Sequence, residues 1–137
     1  MPRRALVEEK LTGSVIGAFF GVYNTLGFGF LEQVYATALE RELSDRGHRV
    51  AREVYVQVNY RGCVVAAQRL DMLIEDRLIV EIKSTVSLHY TATRQVYNYL
   101  RATRLEIALL LHFGPKPHFH RIICLNARKD PLHPPDP

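Results

Sequence analysis

The chain has 137 residues, 47% apolar and 23% charged, which bounds it to one ordinary globular domain built around one core. A net charge of +4 favours an anionic partner, although Arg3, Arg4, Arg128 and Lys129 carry part of it in the terminal segments. Cys63 and Cys124 lack the paired spacing of a zinc or iron–sulfur site, and two cysteines so far apart point to reduced thiols in a cytoplasmic protein.

Residues 6–26 place Leu11, Val15, Phe19, Val22 and Tyr23 at helical spacing, and Gly27 with Gly29 supply the stop. Residues 11–31 hold no charge and carry Gly13, Gly17 and Gly21 as GxxxGxxxG, a pattern also found where transmembrane helices pack. Asn24, Thr25, Gly27 and Gly29 leave the run too short and too polar for a bilayer core of about 30 Å. The expectation is a buried soluble helix, with no membrane span, whose glycines admit a neighbouring element. No signal-peptide order of basic start, apolar core and small-residue cleavage site is present.

A second helix is expected over residues 31–46, through Leu31, Val34, Tyr35, Ala38, Leu39 and Leu43, with Gly47 closing it. From residue 50 the period becomes two: Val54, Val56, Val58 and Tyr60 alternate in a strand over 50–60, and Arg61-Gly62 turns it into a second strand over 63–74. Glu75-Asp76-Arg77 makes the next turn and residues 78–84 a third strand. Helical spacing returns over 92–101, followed by a strongly apolar strand over 106–113, the turn Gly114-Pro115-Lys116-Pro117 and a last strand over 118–125. The order is ααβββαββ. Residues 1–126 form the single domain, and residues 127–137, proline-rich from Pro131 on, are expected to be a disordered tail.

Glu81 and Lys83 are two apart in the third strand and face the same way, while Leu78, Val80 and Ile82 face an apolar layer. If Glu75-Asp76-Arg77 is a three-residue loop, Ile74 pairs with Leu78 and Asp71 falls opposite Glu81. A two- or four-residue loop puts Asp71 on the wrong face unless a bulge restores it. In the first register Leu70, Met72 and Ile74 share the apolar face with Leu78, Val80 and Ile82. Two facing carboxylates repel, and a divalent cation removes that penalty. Carboxylates that hold Mg²⁺ beside a lysine that meets phosphate or water are what metal-dependent phosphodiester hydrolysis uses. Alone, Glu-x-Lys is common as a surface ion pair. Gln95 and Tyr99 stack one turn apart on the next helix, where an amide and a phenol can order a lysine, a water or a phosphate. Glu32 sits in the first turn of helix two, where the helix dipole favours an acid by about 0.3–1 kcal/mol. His118 and His120 show no third metal ligand and read as ordinary sheet residues.

In order, Gly29-x-x-Glu32-x-x-Tyr35, Arg69-Leu70-Asp71, Glu81-x-Lys83, Gln95-x-x-x-Tyr99 and Leu109-Leu110-Leu111-His112-Phe113-Gly114 resemble the GxxExxY family of the PD-(D/E)xK nuclease superfamily, over residues 8–125. Leu70 stands where the superfamily's name puts proline. The resemblance implies an α/β restriction-endonuclease-like core, a mixed β-sheet flanked by helices, with a Mg²⁺ site at one edge. It implies metal ligation by Asp71, Glu81, the Ile82 carbonyl and the helical acid Glu32, and a charge- or water-positioning role for Lys83. Gln95 with Tyr99 is similar to the QxxxY element of the RecB-like branch.

The activity so implied is a Mg²⁺-dependent deoxyribonuclease, with Mn²⁺ as substitute, of a kind used in DNA repair. Arg69, Arg94 and Arg101 are candidates for holding the nucleic-acid backbone. No base-reading motif is visible, so structure or end recognition is expected over sequence specificity. The alternative is a nuclease-fold module that binds nucleic acid or a protein partner without cleaving, and a homodimer is left open.

Overall fold

Residues 8–129 are described by the structure, a computed structural model. Helix α1 (Glu9–Leu26) buries Leu11, Val15, Ala18, Phe19 and Val22, the stripe its periodicity announces. It stops at Gly27, whose φ of 71° is accessible to glycine at little cost. Helix α2 (Glu32–Asp45) buries Tyr35, Ala36, Leu39 and Leu43, and ends where Gly47 at φ 87° lets His48 N donate to Leu43 O at 3.0 Å.

Five strands follow: β1 (Val50–Tyr60), β2 (Cys63–Ile74), β3 (Leu78–Lys83), β4 (Ile107–Phe113) and β5 (Pro117–Ile123), in the spatial order β1-β2-β3-β4-β5. Helix α3 (Ala92–Arg101) bridges β3 to β4, which run parallel; the other neighbours are antiparallel. This is the expected ααβββαββ order and a mixed sheet flanked by helices. The single core expected from composition is instead two. Helices α1 and α2 close one apolar cluster against Met72, Ile74, Leu78, Val80, Ile82, Leu109 and Leu111. Helix α3 closes a second against Ile79, Ala108, Leu110 and Ile122 on the opposite sheet face. Strands β3 and β4 are therefore buried on both faces, as continuous apolar runs at a parallel pairing require.

Two expectations are corrected by this packing. Leu70 belongs to the α3 cluster, not to the face of Met72 and Ile74. The cause lies in the pairing strand: Glu53 has φ 54°, and around it the β1–β2 hairpin changes sides, Val50 packing with α1 and α2, Val54 and Val56 with α3. Among the described residues, the glycine stripe of α1 admits one side chain and no neighbouring backbone. Among these residues nothing lies within 4 Å of a Cβ at Gly13 or Gly21, and Gly17 makes room for the Arg46 guanidinium, which donates to Ser14 O at 3.1 Å.

Residues 126–128 form a 3-10 turn, and Lys129 Nζ donates to Thr103 O and Leu105 O at 2.6 and 2.8 Å. The rest of the proposed tail, from residue 130, lies outside the described residues, as do residues 6 and 7 of the first expected helix. No helix among the described residues is long and apolar enough to cross a membrane.

Candidate functional site

Three residues, Glu75-Asp76-Arg77, connect β2 to β3, and the register is Ile74↔Leu78, Leu73↔Ile79 and Met72↔Val80. Glu75 and Asp76 take left-handed φ values of 54° and 55°. The Arg49 backbone N–H, 2.8 Å from Glu75 Oε1, holds that carboxyl below its ordinary range and fastens the loop.

Regular pairing ends at Met72 and Val80, and the next pair in register, Asp71 and Glu81, bonds through side chains instead. Ile82 N donates to Asp71 Oδ2 at 2.8 Å, and Asp71 N donates to Glu81 Oε1 at 3.4 Å. Glu81 is only 5% exposed. Burial, reinforced by the Asp71 charge, pushes its carboxyl up to about 8, against the partial relief that Lys83 provides. Lys83 Nζ stands 4.0 Å from Glu81 Oε2. Tyr99 of α3, the helix on the sheet face that Glu81 occupies, feels the same acids: its hydroxyl is pushed up to about 12 by burial and then by Glu81 and Asp71, so it remains a neutral hydrogen-bond donor at any physiological pH.

Glu32 arrives from the α1–α2 turn, and Tyr35 explains how. The Tyr35 hydroxyl donates to Gly27 O and accepts from Phe30 N at 3.2 Å, while its ring stacks on Phe113 with centroids 4.1 Å apart. The tyrosine thus pins the glycine turn to β4, and the turn delivers Glu32 beside the end of β3, where Glu32 Oε2 accepts from Ser84 N at 3.5 Å. Ser84 Oγ also donates to Phe30 O. Glu32, Asp71 and Ile82 line one recess of about 240 Å³ together with Gln33, Ala36, Arg52, Glu53 and Arg69. Among the described residues, no three histidine, cysteine or acidic side chains are grouped so as to hold a metal ion.

The structure therefore brings together Glu32, Asp71, Glu81, Ile82, Lys83 and Tyr99. Gln95 is exposed a turn before Tyr99. Arg94 lies over the Tyr97 ring at 5.5 Å and Arg101 donates to Asn98 at 3.4 Å; both are exposed, with their contacts inside α3. Arg69 does face the recess, 3.7 Å from Glu53. Sequence reasoning missed Arg52, Glu53 and Ser84. Counting back from the Arg61-Gly62 turn sets Glu53 against Leu70. A register shift between Val58 and Asn59 moves it to the place facing Asp71, between the pairs Arg52↔Met72 and Val54↔Leu70.

Residues 9–122 match the family model of the PD-(D/E)XK nuclease superfamily. The chain belongs to that superfamily. Among curated proteins, this superfamily member is similar to a patatin-like phospholipase domain-containing protein of Aspergillus oryzae, 27% identical over 115 residues that cover 82% of this chain and 16% of that protein. Among solved structures it is similar to the crystal structure of SSO0001, with a TM-score of 0.51 at 20% identity, covering 90% of this chain and 62% of that one. The second likeness is one of fold, and the nuclease-superfamily chain spans less than two thirds of either relative's length.

Proposed function

We propose that this chain is a Mg²⁺-dependent deoxyribonuclease of the GxxExxY type, directed to DNA structure or ends and not to a base sequence, with Mn²⁺ as an alternative ion. The observation that carries the reading is the side-chain exchange between Asp71 and Glu81 at the end of the β2–β3 pairing, with Lys83 beside it. Membership of a nuclease superfamily supports it.

The donor set fits the ion. Mg²⁺ takes oxygen ligands, uses one or two carboxylates and keeps several waters, so it needs no closed protein cage. Asp71, Glu81 and the Ile82 carbonyl would hold it, with Glu32 at the rim. When bound, the ion supplies a water of lowered pKa and neutralises phosphate charge. Glu81 gives up the proton that its buried site retains without a cation. Lys83 stabilises the charge that develops on the phosphate oxygens, and Tyr99 offers the acids a neutral hydroxyl as hydrogen-bond donor. Gln95, one turn before Tyr99, completes a RecB-like pair on the solvent side, and Arg69, Arg94 and Arg101 hold flanking phosphates.

One observation favours a second reading, a cytoplasmic nucleic-acid- or protein-binding module without catalysis: the acids do not form a ready cage among the described residues. Purified protein incubated with Mg²⁺ or Mn²⁺ and labelled single-stranded, duplex and branched DNA separates the two. Metal-dependent cleavage that disappears in Asp71→Ala and Lys83→Ala is the expected result. Binding that survives unchanged in both variants, with no substrate cut, establishes the module instead.

A further inference from the structure

We propose that the substrate backbone crosses the part of the β4–β5 face that α3 leaves open, and that His118 and His120 of β5 bind its phosphates as the continuation of Lys83. The inference deepens the nuclease reading and rests on it for the class of ligand.

The sheet register sets these residues in line. Lys83 at the end of β3 pairs with His112 on β4, and His112 pairs with His118 on β5. Paired residues on neighbouring strands point to the same face, so the three side chains form one row. Glu81, Leu110 and His120 form the row behind it. The next is Ile79, Ala108 and Ile122, which belongs to the cluster under α3 and fixes which face this is. Two strand spacings, roughly 10 Å, separate Lys83 from His118, a few nucleotides along a nucleic-acid strand.

Helix α3 covers one end of that face and leaves the other to solvent. Ile122 and Cys124 are buried against it, whereas His118 and His120, on the same side of β5 at period two, are exposed. His112 is buried, bonded through Nε2 to the Thr85 carbonyl at 2.9 Å, and its ring stacks on that of His118 with centroids 6.5 Å apart. The inner histidine thus backs the outer one. On the flank of α3 next to β5, the Tyr97 hydroxyl bonds to the Cys124 thiol, and Arg94 lies over the Tyr97 ring from one turn nearer the Lys83 end.

Charge is divided along the chain in a way that favours an anion here. Residues 8–83 hold eleven acids against nine lysines and arginines, and residues 84–129 hold Glu106 alone against seven. Glu106 precedes β4 at the opposite end of the sheet from Lys83, where its carboxylate accepts from Asn126 N at 2.8 Å. Neither α3, β4 nor β5 contains an acid, so an imidazolium on this face answers to an anion from outside. Continuity with Lys83 selects a phosphodiester, because a backbone whose reacting phosphate meets that lysine runs directly onto the histidine row.

Imidazole changes charge between about pH 5 and 8, so this contact has a pH signature. Facing the pair from the packed elements are His112 of β4 and Arg94, Tyr97, Tyr99 and Arg101 of α3. Lys116 precedes it in the turn, and Arg121 points to the other sheet face. There α1 brings Tyr23, with Glu9 and Lys10 in its first turn, beside the Glu8–Arg77 pair.

The test is equilibrium binding of fluorescent single-stranded and duplex DNA, with Ca²⁺ in place of Mg²⁺, at about pH 6 and about pH 8 and over a series of salt concentrations. His118→Gln with His120→Gln is expected to weaken binding about tenfold at the lower pH and less at the higher, and to flatten log Kd against log salt by about one to two units. His118→Lys with His120→Lys is expected to restore binding at both. An unchanged affinity in the glutamine variant overturns the proposal. A loss equal at the two pH values, or one that lysine does not restore, also overturns it, since the histidines would then be holding the sheet. DNA left unbound by the parent protein overturns it as well and leaves this face to an acidic protein. Histidine-dependent binding without cleavage in Mg²⁺ sinks the nuclease reading and leaves this inference standing; cleavage in Mg²⁺ with binding indifferent to the histidines does the reverse.

Discussion

Asp71 and Glu81 face each other across β2 and β3 and are joined through side chains, Ile82 N to Asp71 Oδ2 at 2.8 Å and Asp71 N to Glu81 Oε1 at 3.4 Å. Two backbone N–H donors beyond the last regular β2–β3 pair are thereby satisfied by carboxylates, which fixes Glu81 almost fully buried and Asp71 half-buried.

That arrangement makes the metal-free protein sensitive to pH through Glu81. Its folded value, about 8, lies above the ordinary carboxyl value, so the native state keeps a proton that the unfolded state loses. The stability this contributes is complete at acid pH and drains away as pH rises from about 4.5 to about 8, by up to about 1.4 kcal/mol per pH unit. Urea unfolding without divalent ions is expected to show this decline, and Glu81→Gln, neutral at every pH, is expected to flatten it. Mg²⁺ added at about pH 8 raises the stability of the parent and leaves the variant unmoved.

Lys83→Ala is expected to cut metal-dependent cleavage by about 10²–10³, the loss seen when one donor to a developing oxyanion is removed. Its effect on folding is small, since the pair with Glu81 spans 4.0 Å and the lysine is partly solvated. Because Lys83 draws the Glu81 value down, the same variant shifts the Glu81 titration to higher pH. Single-turnover rates on labelled DNA and a pH series of unfolding curves check both halves.

Tyr35→Phe removes the hydroxyl that bonds to Gly27 and Phe30 and leaves the Phe113 stacking intact. A part-buried carbonyl and an N–H lose their partner, at a cost of about 0.5–1.5 kcal/mol. Cleavage is expected to fall as well, because the turn that delivers Glu32 loosens. Denaturant unfolding paired with activity at saturating Mg²⁺ distinguishes this from loss of metal affinity alone.

Glu53→Val tests the hairpin's change of side. Valine is the better strand former, and a reading from propensity alone has it stabilise β1. With φ at 54° a β-branched residue is strained, so the expected result is a loss of about 1–3 kcal/mol. Thermal unfolding of the variant gives the sign directly.

Much of this molecule is legible in its residues. The three-residue loop follows from the polar triplet Glu75-Asp76-Arg77, and the meeting of Asp71 with Glu81 from counting out of it. The parity of Leu70 does not, because it depends on a left-handed residue in the partner strand, and glutamate carries no sign of that conformation. Glu53 and Arg52 stay hidden for a related reason: one extra residue in the distal hairpin shifts every pair beyond it. The glycine stripe misleads because the space beside a glycine does not say what fills it, and at Gly17 that is one guanidinium. Burial of Glu81 follows from α3 folding over its face, a tertiary event that strand alternation does not encode.

The double burial of β3 and β4, set against a β1–β2 hairpin exposed along its outer half, gives the molecule two clocks. Amide protons of residues 79–82 and 108–111 are expected to exchange with solvent only when the whole fold opens, those of residues 55–67 through local fraying far sooner. Asp71 and Glu81 stand on the border between them, one acid on the strand that breathes and one on the strand that does not. A cation shared by both would therefore slow the hairpin's clock, and its arrival could be timed in the protein's own backbone.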